Sequence, residues 1–418
     1  MLSPMPKPIT ANPARRYLAW FFATLALLVL LVGSFNLLAD PLGLFGSPRI
    51  AGFNRIKPHL DHHQELTRWR LGQAHCASAV VLGNSRAEIG LDPAHPSFAK
   101  QGLSAVNLAV PGSDAVAAYR QLLWLQSVGC MPKLVILGVE FFDFLGAVPA
   151  RELPTLQNSP APARDARVLA ETVFSLTALG DALGTVAAQH ARYPATLTDR
   201  GFNPLLNYVA EVSRSGHHAL FRQRAVENAK AWARKPPQIQ PPGGGQSDDA
   251  QAVRAILDLC AAAGSKVHLV IYPYHAQIRL MLEQMGLGEL FSAWKHSVVS
   301  SVGGPPSRPV RAAGGVTVWD FSGLSSQTQE PIPPAGDRQT QLGLYWEAGH
   351  FKQALGDQML DRMLGGPGDF GQSIDPQGLS AWLAKDRLAV QNLLALPSPL
   401  RDASTDALRQ AGVTLASR

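Results

Sequence analysis

The chain has 418 residues, 46% of them hydrophobic and 16% charged, with a formal net charge of +6. That length accommodates one large domain with additions, or two domains, and the apolar fraction supports a sizeable core. Lys and Arg are scattered and form no stripe or basic cluster, which argues against a nucleic-acid partner.

Tyr17–Leu38 is an uncharged, mostly apolar run of 22 residues. As a helix it would be roughly 33 Å long, enough to cross a bilayer core. Lys7, Arg15 and Arg16 precede it, so the positive-inside rule predicts a cytoplasmic N-terminus with the rest of the chain outside the cytoplasm. A cleaved signal peptide is the competing reading. Its apolar region is typically shorter, about 7–15 residues, and ends in a small-x-small site; Phe35-Asn36-Leu37-Leu38 is a poor match to one. Residues 1–38 are therefore read as an uncleaved anchor, with the lipid bilayer as a partner.

A polar connector follows over residues 39–75, helical around His62–Ala74. Ala79–Gly83 reads as a buried strand closed by Gly-Asn-Ser. Val106–Val110 is a second short apolar segment, ended by Pro111-Gly112-Ser113-Asp114. Asp114 suits the N-cap of a helix over Ala115–Val128, which Gly129 ends. Leu134–Val139 is a third buried strand. This order predicts an α/β fold, layered about a central, mostly parallel sheet.

From about 148 to 246 the pattern changes to Pro-rich loops and Ala-rich helical pieces, read as an insertion over the sheet. The α/β pattern resumes with a helix at Ala250–Ala263, a strand at Lys266–Tyr272, helix at Gln277–Gly286 and a strand at Val316–Phe321. A closing helix is expected over His350–Leu364. The α/β domain thus spans 76–364, and 365–418 reads as a weakly helical appendage. Three cysteines are too few for a disulfide framework. Cys76 lies four residues before Val80 and Cys130 four before Leu134, at the entry ends of two apolar strands. A bridge is open to them if the strands are neighbours in an oxidising compartment; unpaired thiols are the other reading. Cys260 falls on a helix.

Polar groups at the carboxyl ends of parallel strands are where ligands and catalytic residues gather. Ser85 follows the first strand, Gly112-Ser113-Asp114 the second, Glu140 and Asp143 the third, and Tyr274-His275 and Asp320 follow later ones. A serine hydroxyl becomes an effective nucleophile when a base removes its proton, and an imidazole is the usual base near neutral pH. The imidazole needs a carboxylate on its other nitrogen to fix tautomer and orientation. Glu347-Ala348-Gly349-His350 offers both.

With these residues the chain resembles the SGNH/GDSL hydrolase superfamily, and within it the membrane-anchored bacterial branch that includes the alginate O-acetylation and teichoic acid D-alanine-transfer proteins. The resemblance covers roughly Ala79–Leu364. It rests on Gly83-Asn84-Ser85-Arg86 in place of Gly-Asp-Ser, on Gly112 within Asn107–Gly112, and on Glu347-Ala348-Gly349-His350 in place of Asp-x-x-His. It implies a three-layer α/β sandwich with Ser85 as nucleophile, His350 as base and Glu347 as orienting acid. The implied oxyanion hole uses the backbone N–H groups of Ser85 and Gly112. It also implies an O-acyltransferase or esterase in the bacterial inner membrane, with its catalytic domain in the periplasm or outside the cell. The substrate would be an acylated, most simply acetylated, glycan, and a multi-spanning membrane acyltransferase would be the partner. A non-catalytic scaffold in a glycan export or acylation complex is the alternative.

The third block departs from the family, because Gly138-Val139-Glu140-Phe141 has no oxyanion asparagine. Glu140 is expected instead to pair with Arg86, with Asn84 or Arg86 completing the hole. Asp320 is a second candidate for the orienting acid, and His275 for the substrate groove. His268, inside an apolar strand, reads as a core histidine. His62-His63 and His217-His218 lack a metal-ligand pattern, so no metal is expected. There is no Gly-x-x-x-x-Gly-Lys loop, and no cofactor is expected.

Overall fold

The computed structural model describes residues 13–155, 166–303 and 315–416. In chain order its elements begin with α1 (Pro13–Ala39), α2 (Gln64–His75), β1 (Ala79–Leu82), α3 (Ser85–Gly90) and α4 (Pro96–Lys100). Next come β2 (Ala105–Asn107), α5 (Ala115–Ser127), β3 (Leu134–Val139) and α6 (Phe141–Phe144). Helices α7 (Ala166–Phe174), α8 (Leu176–Ala187), α9 (Leu206–Ser215) and α10 (His217–Ala233) follow. Then come α11 (Asp248–Ala263), β4 (Lys266–Ile271), α12 (Ala276–Gln284), α13 (Gly288–Gly303) and β5 (Val316–Asp320). The chain ends with β6 (Tyr345–Glu347), β7 (His350–Phe351), α14 (Gln353–Met363), β8 (Gln372–Ile374), α15 (Leu379–Ala395) and α16 (Pro399–Gln410).

These elements form two compact units, one of residues 1–62 with 162–192 and the other of 63–161 with 193–418. The 39–75 connector is therefore divided, and the 148–246 segment contributes to both units.

In the first unit, α1 is the one helix among the described residues that is long and apolar enough to cross a membrane. Tyr17, Trp20, Phe22 and Leu30 stand exposed along it. Its C-terminal end is tied to α7, where the Asn36 side-chain amide donates to the Val173 carbonyl at 2.7 Å. The buried Lys57 ammonium donates to the carbonyls of Ala39, at 3.3 Å, and Asp40. The Asp40 carboxylate receives the Leu44 N–H at 2.8 Å. A buried charge is tolerable when its hydrogen bonds are met, and these contacts meet them where the apolar helix stops.

The second unit is built on a six-stranded sheet in the order β2-β1-β3-β4-β5-β8. The first five are parallel, with Val80 opposite Val106 on one side and Val135 on the other. β1 and the edge strand β2 are buried at every position, as expected of parallel strands covered on both faces. Cys76 caps the C-terminal end of α2 just before β1, and Cys130 lies just before β3. Because β1 and β3 are neighbours, the two sulfurs come together as a disulfide with an S–S distance of 2.10 Å. Cys260 is free and buried in α11.

Residues 365–418 are not an appendage, as their sequence pattern suggests, but part of this unit. β8 joins β5 antiparallel, and α15 and α16 pack on α12. The sequence gives little sign of β8, because it is three residues long and two of them are the polar Gln372 and Ser373. α15 is held by charge. Asp386 pairs with Arg279 and with Lys295, each at 3.0 Å, and Lys295 also pairs with Asp320 at 2.7 Å. All four are buried. Lys295 sits on α13, an element the sequence pattern does not announce, beside the buried Trp294 and Phe291.

Removing one member of a buried ion network leaves the others uncompensated. Asp386→Ala is therefore expected to cost about 3–5 kcal/mol, measured as a lower urea midpoint with an unchanged slope.

Candidate active site

β1 is followed by Gly83, whose φ is 137°, a conformation that L side chains rarely adopt. A Cβ at Gly83, or at Gly138 on the neighbouring β3, would overlap the Tyr272 hydroxyl. Next, Asn84 takes extended backbone and caps α3, its side-chain oxygen accepting the Arg86 N–H at 3.1 Å. Ser85 thus opens a helix at the carboxyl end of a central strand. Helix geometry leaves its N–H without an intrahelical acceptor.

His350 is delivered by different means than the sequence implies. It lies in the β6–β7 hairpin, not at the start of the closing helix, which begins three residues later. Glu347 pairs with His350 across the two-residue turn Ala348-Gly349. Three anchors hold the hairpin. The Glu330 carboxylate accepts the N–H groups of Gly343, Leu344 and Tyr345 at 2.6–3.2 Å. The fully buried His217 accepts the Leu342 N–H on Nε2 at 3.2 Å and contacts the Trp346 carbonyl through Nδ1 at 3.0 Å. Since Nε2 accepts, Nδ1 is the donor. The Phe351 ring packs where a Cβ on Gly90 would stand, against the end of α3.

The outcome is a hydrogen-bonded chain. Ser85 Oγ lies 2.8 Å from His350 Nε2, and His350 Nδ1 is bonded to Glu347 Oε1. Glu347 Oε2 accepts the Gly349 N–H at 2.7 Å, and Arg224 Nε lies 3.6 Å from Oε1. Burial pushes the Glu347 carboxyl up, but His350, Arg224 and the Gly349 N–H outweigh it and hold the group below the usual range.

The Glu140 carboxylate binds Arg86 and accepts the Asn84 amide N–H at 2.6 Å. Arg86 also lies 5.4 Å from the centroid of the Tyr274 ring. Its desolvation would favour the neutral form, but Glu140 and its neighbours more than offset this and hold its pKa above the ordinary value. The Asp143 carboxyl is pushed well up, chiefly by burial and then by Glu140 and Asp249.

Ser85, His350, Arg86, Glu140, Asp143 and Gly112 line a cleft of about 210 Å³. Gly112 has a φ of 70°, and its N–H makes no backbone hydrogen bond among the described residues. A larger cleft of about 960 Å³ lies elsewhere, among Glu283, Glu289, Arg387 and Arg401. It has no serine–imidazole pair, so size does not select the site.

Two expected residues lie elsewhere. Asp320 is not beside His350: its oxygens receive Ser322, Lys295 and the Trp382 indole N–H at 2.7–2.9 Å. Its place at the end of β5, opposite α13 and α15, makes it a structural counter-ion. His275 does not reach the groove either. It is fully buried, its Nδ1 accepting the Gln277 N–H at 3.2 Å and its Nε2 bonded to the Glu330 carbonyl at 2.8 Å. His268 is a core histidine, bonded by the Trp319 indole at 3.1 Å.

The sequence reading missed Arg224, Asn228 and Trp232, which line the cleft from α10. Their i, i+4, i+8 spacing places them on one helix face, a signal obscured by the apolar and charged residues between them. Trp232 stacks on Phe142, ring centroids 3.8 Å apart, and docks α10 at the end of β3. No family model, curated protein or solved structure matches the chain.

A carboxyl packed against the start of α5 is expected to make stability depend on pH. Asp249 accepts the Ala115 N–H at 3.0 Å, and burial followed by Asp114 raises its carboxyl to about 6. A carboxyl raised on folding destabilises the protein where it is ionised. Asp249→Asn keeps the acceptor and removes the charge. It should stabilise by about 1 kcal/mol above pH 6, with the gain disappearing towards pH 4. Denaturant titrations at pH 4 and 7.5 check this.

Proposed function

We propose that the chain is a membrane-anchored, extracytoplasmic serine enzyme that removes or transfers an O-acyl group of a cell-envelope or secreted glycan. The observation that carries this is the 2.8 Å contact of Ser85 Oγ with His350 Nε2, with Glu347 on the other imidazole nitrogen. Ser85 attacks the ester carbonyl while His350 takes its proton, and the orienting carboxylate stabilises the imidazolium. His350 then returns the proton to the leaving alkoxide. An acyl-serine remains, which water or a sugar hydroxyl cleaves.

The N–H groups of Ser85 and Gly112 are the proposed oxyanion donors. Asn84 is committed to its cap and to Glu140. Arg86 lines the cleft and keeps a guanidinium Nε without a hydrogen-bond partner among the described residues, and is the remaining candidate in place of the family's asparagine.

The SGNH-like, three-layer reading draws support from a serine after β1, a glycine after β2 at the same cleft, and a late acid-x-x-His. A cleft near 210 Å³ is small beside ordinary ligand pockets and suits an acetyl group. The glycan, and a multi-spanning acyltransferase as partner, rest on the family resemblance. The apolar α1 and the Cys76–Cys130 disulfide both support a single-pass anchor with the α/β unit in the periplasm or outside the cell. A non-catalytic scaffold would have no need of a serine, imidazole and carboxylate in hydrogen-bonded order, so this arrangement favours the enzyme.

Hydrolysis of p-nitrophenyl acetate by the full chain provides the test. Ser85→Ala should lower kcat/KM at least about 10³-fold, and Glu347→Gln about 10²–10⁴-fold, with unchanged circular dichroism. Retention of full activity by Ser85→Ala would contradict the assignment.

A further inference from the structure

We infer that His59, His62 and Asp181 form a binding site for a divalent transition-metal ion, with Zn²⁺ the best-fitting ion. All three belong to the unit that carries α1, and none takes part in the proposed acyl chemistry. Their ligand atoms lie within 4.8 Å of one another. His62 Nδ1 is 3.0 Å from one Asp181 oxygen, and His59 Nδ1 is 3.9 Å from the other.

Three features separate this group from an ordinary surface ion pair. First, the Asp181 side chain is 10% exposed, and its only hydrogen-bond and ion-pair partners among the described residues are the two imidazoles. A buried carboxylate needs a charged or well-bonded partner, and two imidazolium rings 5.1 Å apart would repel each other. One cation bound by two neutral imidazoles meets both requirements. Second, space is kept for His59. Gly184 lies inside α8, where glycine costs about 0.5–1 kcal/mol relative to alanine, and a Cβ there would overlap His59 Nε2. Third, His59 turns Nδ1 towards Asp181 and Nε2 towards Gly184, where Nε2 has no hydrogen-bond partner among the described residues, so Nδ1 is the nitrogen available to a metal.

A protonated His62 paired with Asp181 would explain their contact, but neither the approach of His59 nor the space left at Gly184. Two imidazoles and a carboxylate make a three-ligand set suited to Zn²⁺, with a fourth position for water. The His62 side chain is 44% exposed and leaves a route for the ion. No local spacing reveals the site, because Asp181 lies 119 residues from His62.

The test uses the full chain in detergent, without an affinity tag and stripped with EDTA. Zn²⁺ is titrated against a chromophoric chelator at pH 7.5, and Co²⁺ binding is followed by its visible absorption. One equivalent of Zn²⁺ and a four-coordinate Co²⁺ spectrum are expected. His62→Ala and Asp181→Asn should each weaken Zn²⁺ binding at least 10-fold, whereas His63→Ala, outside the group, should not change it. Asp181→Asn preserves side-chain shape, and the Co²⁺ spectrum of the unmodified chain needs no variant. Failure of the unmodified chain to compete for Zn²⁺, absence of the four-coordinate spectrum, or equal Zn²⁺ binding by all three variants would overturn the proposal.

Discussion

The candidate site depends on a close approach between two elements far apart in sequence. At the end of α3, Gly90 has no side chain, and the Phe351 ring occupies the space a Cβ would need. On the other side, Gly356 in α14 packs against the Gly90 carbonyl so closely that a Cβ there would overlap it. These contacts seat the β6–β7 hairpin and α14 on the short helix that begins with Ser85. His350 is the residue before Phe351, so the packing that fixes the ring also sets the imidazole. Interiors are close-packed and yield little to added volume. A methyl group at this junction would therefore displace the hairpin, and with it the reach from His350 to Ser85.

Around this junction, Glu140, Arg86 and Glu347 are buried with charged partners. Glu140 holds Arg86 beside the nucleophile, and Glu347 is shared among His350, the Gly349 N–H and Arg224. A second network, Arg279, Asp386, Lys295 and Asp320, ties the C-terminal helices to the far side of the sheet. Such networks are weak evidence of net stability, since desolvation consumes much of the attraction. Their geometric consequence is clearer. Asp320 is committed to the second network, and Glu347 is the carboxylate left to orient His350.

The parallel core was legible because β1 and β3 are short apolar runs closed by glycine and polar turns, and Asp114 and Gly264 mark helix ends where the structure has them. Ser85, His350 and Glu347 were legible as residue types at strand and helix boundaries, though not the hairpin that carries two of them. A three-residue strand paired with a two-residue strand is too short to establish an alternating pattern. The roles of α10 and the C-terminal segment were hidden for a related reason. Arg224, Lys295 and Asp386 gain meaning from partners 91 to 123 residues away, and a local reading cannot connect them. Asp320 and His275 had suitable chemistry at strand ends but are held by neighbours supplied from elsewhere in the fold.

Phosphonylation by a fluorophosphonate, followed by intact mass and peptide mapping, tests the central claim most directly, because the reagent reports a serine activated by its neighbours without requiring the natural substrate. The account predicts one phosphonyl group on Ser85 in the unmodified chain, and labelling at least about 10-fold slower in a folded Gly90→Ala variant. An unmodified chain that remains unlabelled at Ser85, or a Gly90→Ala variant labelled at the same rate, would contradict it.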